Sequence, residues 1–136
     1  MQDIVKIAIV SSIVIAGSLN LYTASAIDKN AQTEIETLLK TRDEAVQKKD
    51  SELFKTTQTS GAIGTSADGY MKYEKMETEL VALRPYNDWT ADKMVGFVKE
   101  TFYKNENEKT WKSAYSMYIF QKVSDKWLVE KIIFEK

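Results

Sequence analysis

Apolar positions appear first in this chain as an unbroken run and only later as one face of an element. From Ile4 to Ile15 the sequence reads IVKIAIVSSIVI, apolar apart from Lys6 and the Ser11–Ser12 pair. A run that is apolar all round does not suit a helix burying a single stripe against a core. A softer stretch follows and ends Thr23-Ala24-Ser25-Ala26, in which Ala24-x-Ala26 is the small-residue pattern that signal peptidase accepts. Residues 1–26 are therefore expected to be a cleaved signal peptide helix, with one domain over residues 27–136. An uncleaved anchor is the rival reading. The segment Ile4–Leu21 holds a lysine and several polar groups, which makes it marginal for spanning roughly 30 Å of hydrocarbon.

Beyond the leader the period changes. Ile35, Leu38, Leu39, Ala45 and Val46 recur at helical spacing and predict a helix over residues 29–49, with Glu34, Glu36, Arg42, Asp43, Lys48 and Lys49 on the solvent face. Asp50 reads as the N-cap of a short second helix from Ser51 to Thr57, whose buried side is Leu53 and Phe54. Residues 58–69 (QTSGAIGTSADG) are small, polar and glycine-rich, the chemistry of a loop with one short strand at Ala62-Ile63. Gly61 and Gly64 fit no phosphate-cradling spacing. Residues 70–82 are helical in composition, with Tyr70, Tyr73, Met76, Glu77 and Leu80 sharing a face, and Arg84-Pro85 ends that element. The rest alternates as antiparallel strands: Met94–Tyr103, Trp111–Val123 and Lys126–Phe134, with a polar turn at Asn105–Lys109 and a tight one at Ser124-Asp125.

The tight turn sets a register. Pairing Val123 with Lys126 puts Ser116, Tyr118, Phe120, Trp127, Val129, Lys131 and Ile133 on one face of the hairpin. Tyr115, Met117, Ile119, Leu128, Ile132 and Phe134 fall on the other, with Gln121 and Glu130. Both faces are largely apolar, whereas a sheet with one wet face alternates cleanly. The helices cover one side. The other calls for a partner subunit, or for a long sheet that curls over part of itself.

Composition narrows the chemistry. The chain has 136 residues, no cysteine and no histidine. Disulfides, thiolate nucleophiles and Ser-His-Asp or Cys-His mechanisms are excluded within it. A zinc site would have to be built from carboxylates alone. Net charge is −1, and the leader's Asp3 and Lys6 cancel, so the balance lacks the basic footprint of a nucleic-acid binder. No cofactor is expected.

The order of elements, together with two short motifs, resembles the nuclear transport factor 2-like superfamily, particularly its SnoaL-like branch, a cystatin-like α+β cone. Lys49-Asp50-Ser51-Glu52-Leu53-Phe54 is similar to the family's Gly-Asp-then-Leu link between its first two helices, with Lys49 in place of the glycine. Lys122-Val123-Ser124-Asp125-Lys126-Trp127 is similar to its Asn-Gly-Lys-Trp hairpin, with Ser-Asp in place of Asn-Gly. The resemblance implies helices packed against a strongly bent antiparallel sheet forming a cone with a pocket at the open end. It also implies that Trp127, Val129 and Lys131 point into that pocket, and that Met117, Ile119, Leu128 and Ile132 form a homodimer surface. Family enzymes use Asp/His or Tyr/Asp pairs in the cone; the first cannot exist here, and no Tyr/Asp position matches a motif.

The candidate ligand-binding residues are Tyr118, Trp127, Lys131, Asp68 and Tyr70. Lys131 is the sharpest, since an amine held among Trp127, Val129 and Tyr118 would bind an acid or act as a base; the plainer alternative is that it snorkels to the rim. With reversed parity Glu130 takes its place. Asp68 and Tyr70 flank Gly69 at a plausible cone mouth, although Asp68 is also a natural N-cap. Tyr86 and Trp89 follow Pro85 in a loop, where aromatics stack on ligands or close a core edge. The resulting expectation is an exported (periplasmic or secreted) non-catalytic binding or interaction domain with a small-ligand pocket. It is expected to form a homodimer and to have no membrane contact once the leader is removed. The alternatives are a cofactor-free lyase, isomerase or hydrolase using Tyr, Asp and Lys, and an accessory subunit docking through the apolar sheet face.

Overall fold

The computed structural model describes residues 29–104 and 111–134. The expected signal peptide and the expected turn at Asn105–Lys109 lie outside the described residues. Helix α1 (Lys29–Lys48) turns Ala31, Ile35, Leu39, Arg42, Ala45 and Val46 inward, the i, i+4, i+7 repeat of a core-facing stripe. It ends in a Schellman motif. Asp50 N–H bonds the Ala45 carbonyl at 2.8 Å and Lys49 N–H the Val46 carbonyl at 3.1 Å, with Lys49 in the left-handed region at φ 57°. This is the position of the glycine in the related link. Lysine holds it while its ammonium donates to the Met71 and Tyr73 carbonyls, tying the helix end to the loop before the sheet. Asp50 then caps α2 (Ser51–Lys55), accepting from Leu53 N–H at 3.0 Å, and Phe54 is buried beneath α1.

Five strands follow the first two helices: β1 (Gln58–Ile63), β2 (Lys75–Pro85), β3 (Lys93–Tyr103), β4 (Trp111–Val123) and β5 (Lys126–Phe134), with helix α3 (Ala67–Tyr70) between β1 and β2. Their order in the curled sheet is β1-β5-β4-β3-β2. All neighbours are antiparallel except β1, which runs parallel to β5, so the sheet is mixed rather than antiparallel throughout. α1 and α2 pack on its concave side. The core joins Ile35, Leu39, Val46 and Phe54 of the helices to Met76, Val98, Tyr118, Phe120 and Val129 of the strands.

Two segments differ from the sequence expectation. The third helix expected over residues 70–82 shrinks to Ala67–Tyr70, and most of that stretch is β2, paired with β3 from Lys75–Tyr103 to Pro85–Met94. Met, Glu, Lys and Leu favour helix only by fractions of a kcal/mol, roughly 0.7 or less per residue, and a full ladder of strand pairing overrides that. Pro85 is tolerated because β2 is an edge strand. The expected loop at 58–69 begins with β1. It closes on Gly64, where φ is 78° and a Cβ would stand 2.2 Å from the Ile132 carbonyl oxygen, so only glycine permits this approach to β5.

The hairpin turn behaves as read. Val123 pairs with Lys126, and Ser124 (φ 50°) and Asp125 (φ 65°) both take the left-handed conformation of a type I′ turn. The register holds through Phe120–Val129 and then slips. Ile119 pairs with Lys131, so Glu130 is an extra residue in a β-bulge. Every side chain beyond it changes face.

Helix α1 is clamped to β2 by Asp43, expected on the solvent face but half-buried. It accepts from Thr78 N–H and from Thr78 Oγ1, each at 3.0 Å. Burial pushes the Asp43 carboxyl up to about 7, against the opposing pull of the Thr78 hydrogen bonds and of Arg42. A carboxyl whose pKa is raised on folding costs stability once the unfolded chain ionises. The native state binds more protons between pH ~4 and ~7, so stability contributed here falls as pH rises through that window. Asp43→Asn is expected to remove that slope. Urea unfolding of both proteins at pH 4, 5.5 and 7 checks it, and a difference between them that is flat with pH would contradict it.

Candidate functional site

Two charged side chains lie at the centre of the core. Arg42, expected on the solvent face of α1, is fully buried, as is Glu100 on β3. Each is in phase with its element's apolar stripe: Arg42 with Ile35, Leu39 and Val46, and Glu100 with Met94, Val98 and Phe102.

Arg42 bonds neutral oxygens. It donates from Nη1 to Thr57 Oγ1 (2.8 Å) and Gln58 Oε1 (3.2 Å), and from Nη2 to Thr65 Oγ1 (2.7 Å). Its guanidinium stands 4.2 Å from the Phe54 ring centroid, with Tyr70 and Tyr118 at 5.6 and 6.0 Å. Its buried Nε has no partner among the described residues.

Glu100 takes three hydroxyl donors: Ser116 Oγ on Oε1 (2.6 Å), and Tyr118 Oη (2.5 Å) and Tyr70 Oη (3.2 Å) on Oε2. An ionised carboxylate accepts only, and three hydroxyls suit it. Burial, and then the Glu100 charge, pushes the Tyr70 hydroxyl above the usual phenol range; burial, Tyr70 and Glu100 do the same to Tyr118. Both phenols therefore remain donors at neutral pH. The two tyrosines link the charges, with their rings beside Arg42 and their hydroxyls on Glu100.

Above this network opens a cavity of about 570 Å³. Tyr70 and Glu100 form its floor. Tyr73 and Phe102, in ring contact at 4.6 Å, form one wall with Tyr70, 5.9 Å from Phe102. Ala62, Ala114 and Phe134 supply further apolar surface, and Gly64, Thr65, Ser66 and Gly69 form a polar side from the segment between β1 and α3. Among the described lining residues Glu100 alone bears a charge.

The sequence candidates scatter around this centre. Tyr70 lines the cavity, and Tyr118 lies behind its floor on Glu100. Trp127 is buried elsewhere, in a groove beside Thr37 and Leu38 of α1. Lys131 does not point inward. The bulge at Glu130 turns it outward, where it is exposed, and turns Ile132 into the core at 3% exposure and away from the expected interface face. Glu130 does not replace it in the cavity, for it pairs with Lys93 at 3.2 Å. Asp68 is exposed on α3 and is not its cap; Ser66 is, with Oγ accepting from Gly69 N–H at 3.4 Å. Met117, Ile119 and Leu128 are half-buried on the convex face. Phe97, Tyr115 and Ile133 there are exposed by 46, 54 and 42%. Trp89 is 88% exposed at the tip between β2 and β3.

No protein-family model matches the sequence, and no curated protein matches it. Solved structures do. A protein from Nostoc punctiforme, described as of unknown function with a cystatin-like fold, superposes with a TM-score of 0.62 at 14% identity, over 79% of this chain and 91% of that one. An NTF-2 like protein of unknown function from Shewanella oneidensis gives 0.59 at 9% identity, covering 75% and 96%. The hexachlorocyclohexane dehydrochlorinase LinA-type3 of Novosphingobium barchaimii gives 0.54 at 15% identity, covering 76% and 84%.

Proposed function

Because the chain has the nuclear transport factor 2-like, cystatin-like fold, we propose that it is a non-catalytic binding domain that holds a small organic molecule in the cavity above Tyr70 and Glu100. The observation that carries this reading is the cavity of about 570 Å³, within the range of ligand pockets, with apolar walls and one compact polar centre at its floor. The rigid floor supports it further, since Ser116, Tyr118 and Tyr70 hold Glu100 from three sides.

The leader pattern supports export to the periplasm or medium. The exposed Phe97, Tyr115 and Ile133 beside Met117 and Ile119 support a homodimer through the convex sheet face. A cofactor-free lyase, isomerase or hydrolase is the second reading, favoured by the Tyr70–Glu100 contact and by the dehydrochlorinase among the structural neighbours. Against it, the phenols are held as donors and the carboxylate is engaged by them, whereas a general base must reach a substrate proton.

The test is titration with the uncharged dye N-phenyl-1-naphthylamine, alongside sedimentation of the same sample. Saturable fluorescence at one site per chain is expected. It should be lost in Ala114→Trp, which fills the cavity beside Glu100, and the mass should be that of a dimer. Equal dye binding by Ala114→Trp would refute the pocket, and a monomer would refute the interface.

A further inference from the structure

Lys49 occupies a backbone position that suits a different residue. It stands at φ 57° at the end of helix α1, in the left-handed region where a Cβ crowds the following carbonyl and glycine carries no such penalty. A non-glycine residue persists there when other contacts hold it, and residues held in this way gather at sites of function. Here the side chain makes the holding contacts. The Lys49 ammonium donates to the Met71 carbonyl at 2.8 Å and to the Tyr73 carbonyl.

Those two carbonyls belong to the connector that leaves α3 and enters β2. Backbone bonds hold the connector at two points, Tyr73 N–H to the Tyr70 carbonyl at 3.2 Å and Glu74 N–H to the Tyr103 carbonyl at 2.9 Å. The ammonium adds a third point by drawing two peptide carbonyls towards one centre. Orienting both peptide planes sets the direction in which the Tyr73 side chain leaves the backbone. That ring lines the cavity and meets the Phe102 ring at 4.6 Å between centroids. Helix α1 contributes no residue to the described lining, so Lys49 is the route by which its end acts on the chamber.

Resting on the reading of this cavity as a ligand pocket, we propose that Lys49 is a positioning residue of that pocket: its ammonium fixes the Met71–Tyr73 connector and thereby the wall that Tyr73 supplies. Glycine at this position relaxes the backbone and releases the wall, whereas lysine strains the backbone and holds the wall. Stability and order of the pocket therefore pull in opposite directions at one residue.

Lys49→Gly and Lys49→Met separate the two effects, since both remove the ammonium and only the first relieves the left-handed backbone. In urea the glycine variant is expected to unfold at a midpoint about 0.5 M above that of the methionine variant. Amide exchange at Tyr73 and Glu74, followed by nuclear magnetic resonance, should nevertheless accelerate in both, by about fivefold. Both should also bind N-phenyl-1-naphthylamine about threefold more weakly, having lost a preorganised wall. Lys49→Arg, which keeps a charged donor of similar reach, should keep most of the wild-type protection. A residue serving the helix end alone would give exchange and dye affinity that follow the urea midpoint. That pattern, or unchanged exchange in both variants, would overturn the assignment and leave the pocket standing. Absence of saturable dye binding by the wild-type protein would overturn the pocket reading and the role of Lys49 in it, while accelerated exchange would still establish the tether.

Discussion

Glu100→Ala is expected to lower the unfolding free energy by about 4 kcal/mol, since it leaves three buried hydroxyl donors unpartnered at about 1–3 kcal/mol each, with some relief from water entering through the cavity. Tyr70, Ser116 and Tyr118 all aim at this carboxylate, and each is buried. Glu100→Gln should cost about half as much, because an amide oxygen still accepts while the amide nitrogen opposes a hydroxyl. Equilibrium unfolding in urea measures both; a small single domain suits two-state analysis. A loss below about 1 kcal/mol for the alanine variant would mean that the hydroxyls rearrange freely and that the floor is not rigid.

The second large effect is expected at Arg42. Arg42→Met keeps an unbranched side chain of similar reach and removes the guanidinium, with an expected loss of about 3 kcal/mol, as hydrogen bonds to charged groups contribute roughly 1.5–3 each. Part of the polar cluster survives without it: Thr57 Oγ1 still donates to the Phe54 carbonyl, and Thr65 Oγ1 to Gln58 Oε1. The more telling measurement is the double-mutant cycle with Glu100→Gln. Arg42 and Glu100 share Tyr70 and Tyr118 as neighbours, so the double variant should be less destabilised than the sum of the singles by about 1 kcal/mol. Additivity within about 0.3 kcal/mol would show that the two charges stabilise the core independently.

Neither residue stood out in the sequence, and the reason is a matter of phase. Charged residues in a helix or strand usually face water, so the sequence sets Arg42 with Asp43 on the solvent face, and a strand of Val and Phe gives no prompt to single out Glu100. The signal was present. Arg42 falls at helical spacing from Leu39 and Val46, and Glu100 falls at period two between Val98 and Phe102. β2 carried a similar clue, for Met76, Thr78 and Leu80 alternate with exposed Glu77, Glu79 and Val81 under a composition that favours helix. What was legible had a strong local cause: the stripe of α1, the Asp50 cap and the hairpin at Ser124-Asp125. The bulge at Glu130 had none. A single extra residue in a strand leaves no compositional mark, yet it reverses the facing of Lys131 and Ile132 and so moves the sharpest sequence candidate out of the interior. The fold could be read from the order of elements, whereas the cavity depends on parity, which one residue can invert.

The parallel strand at the sheet's edge has a consequence in time. Strands β2 to β5 pair with their neighbours in sequence, but β1 must find β5 across nearly the whole domain, Gln58 against Val129, with Gly64 seated on Ile132. Contacts so distant along the chain form slowly, because their loop-closure entropy precedes any reward. The wall that runs from Ala62 to Gly69 hangs on this late pairing. The cavity lining supplied by Ala62, Gly64, Thr65, Ser66 and Gly69 is therefore expected to take shape only after the antiparallel ladder from β2 to β5 has formed.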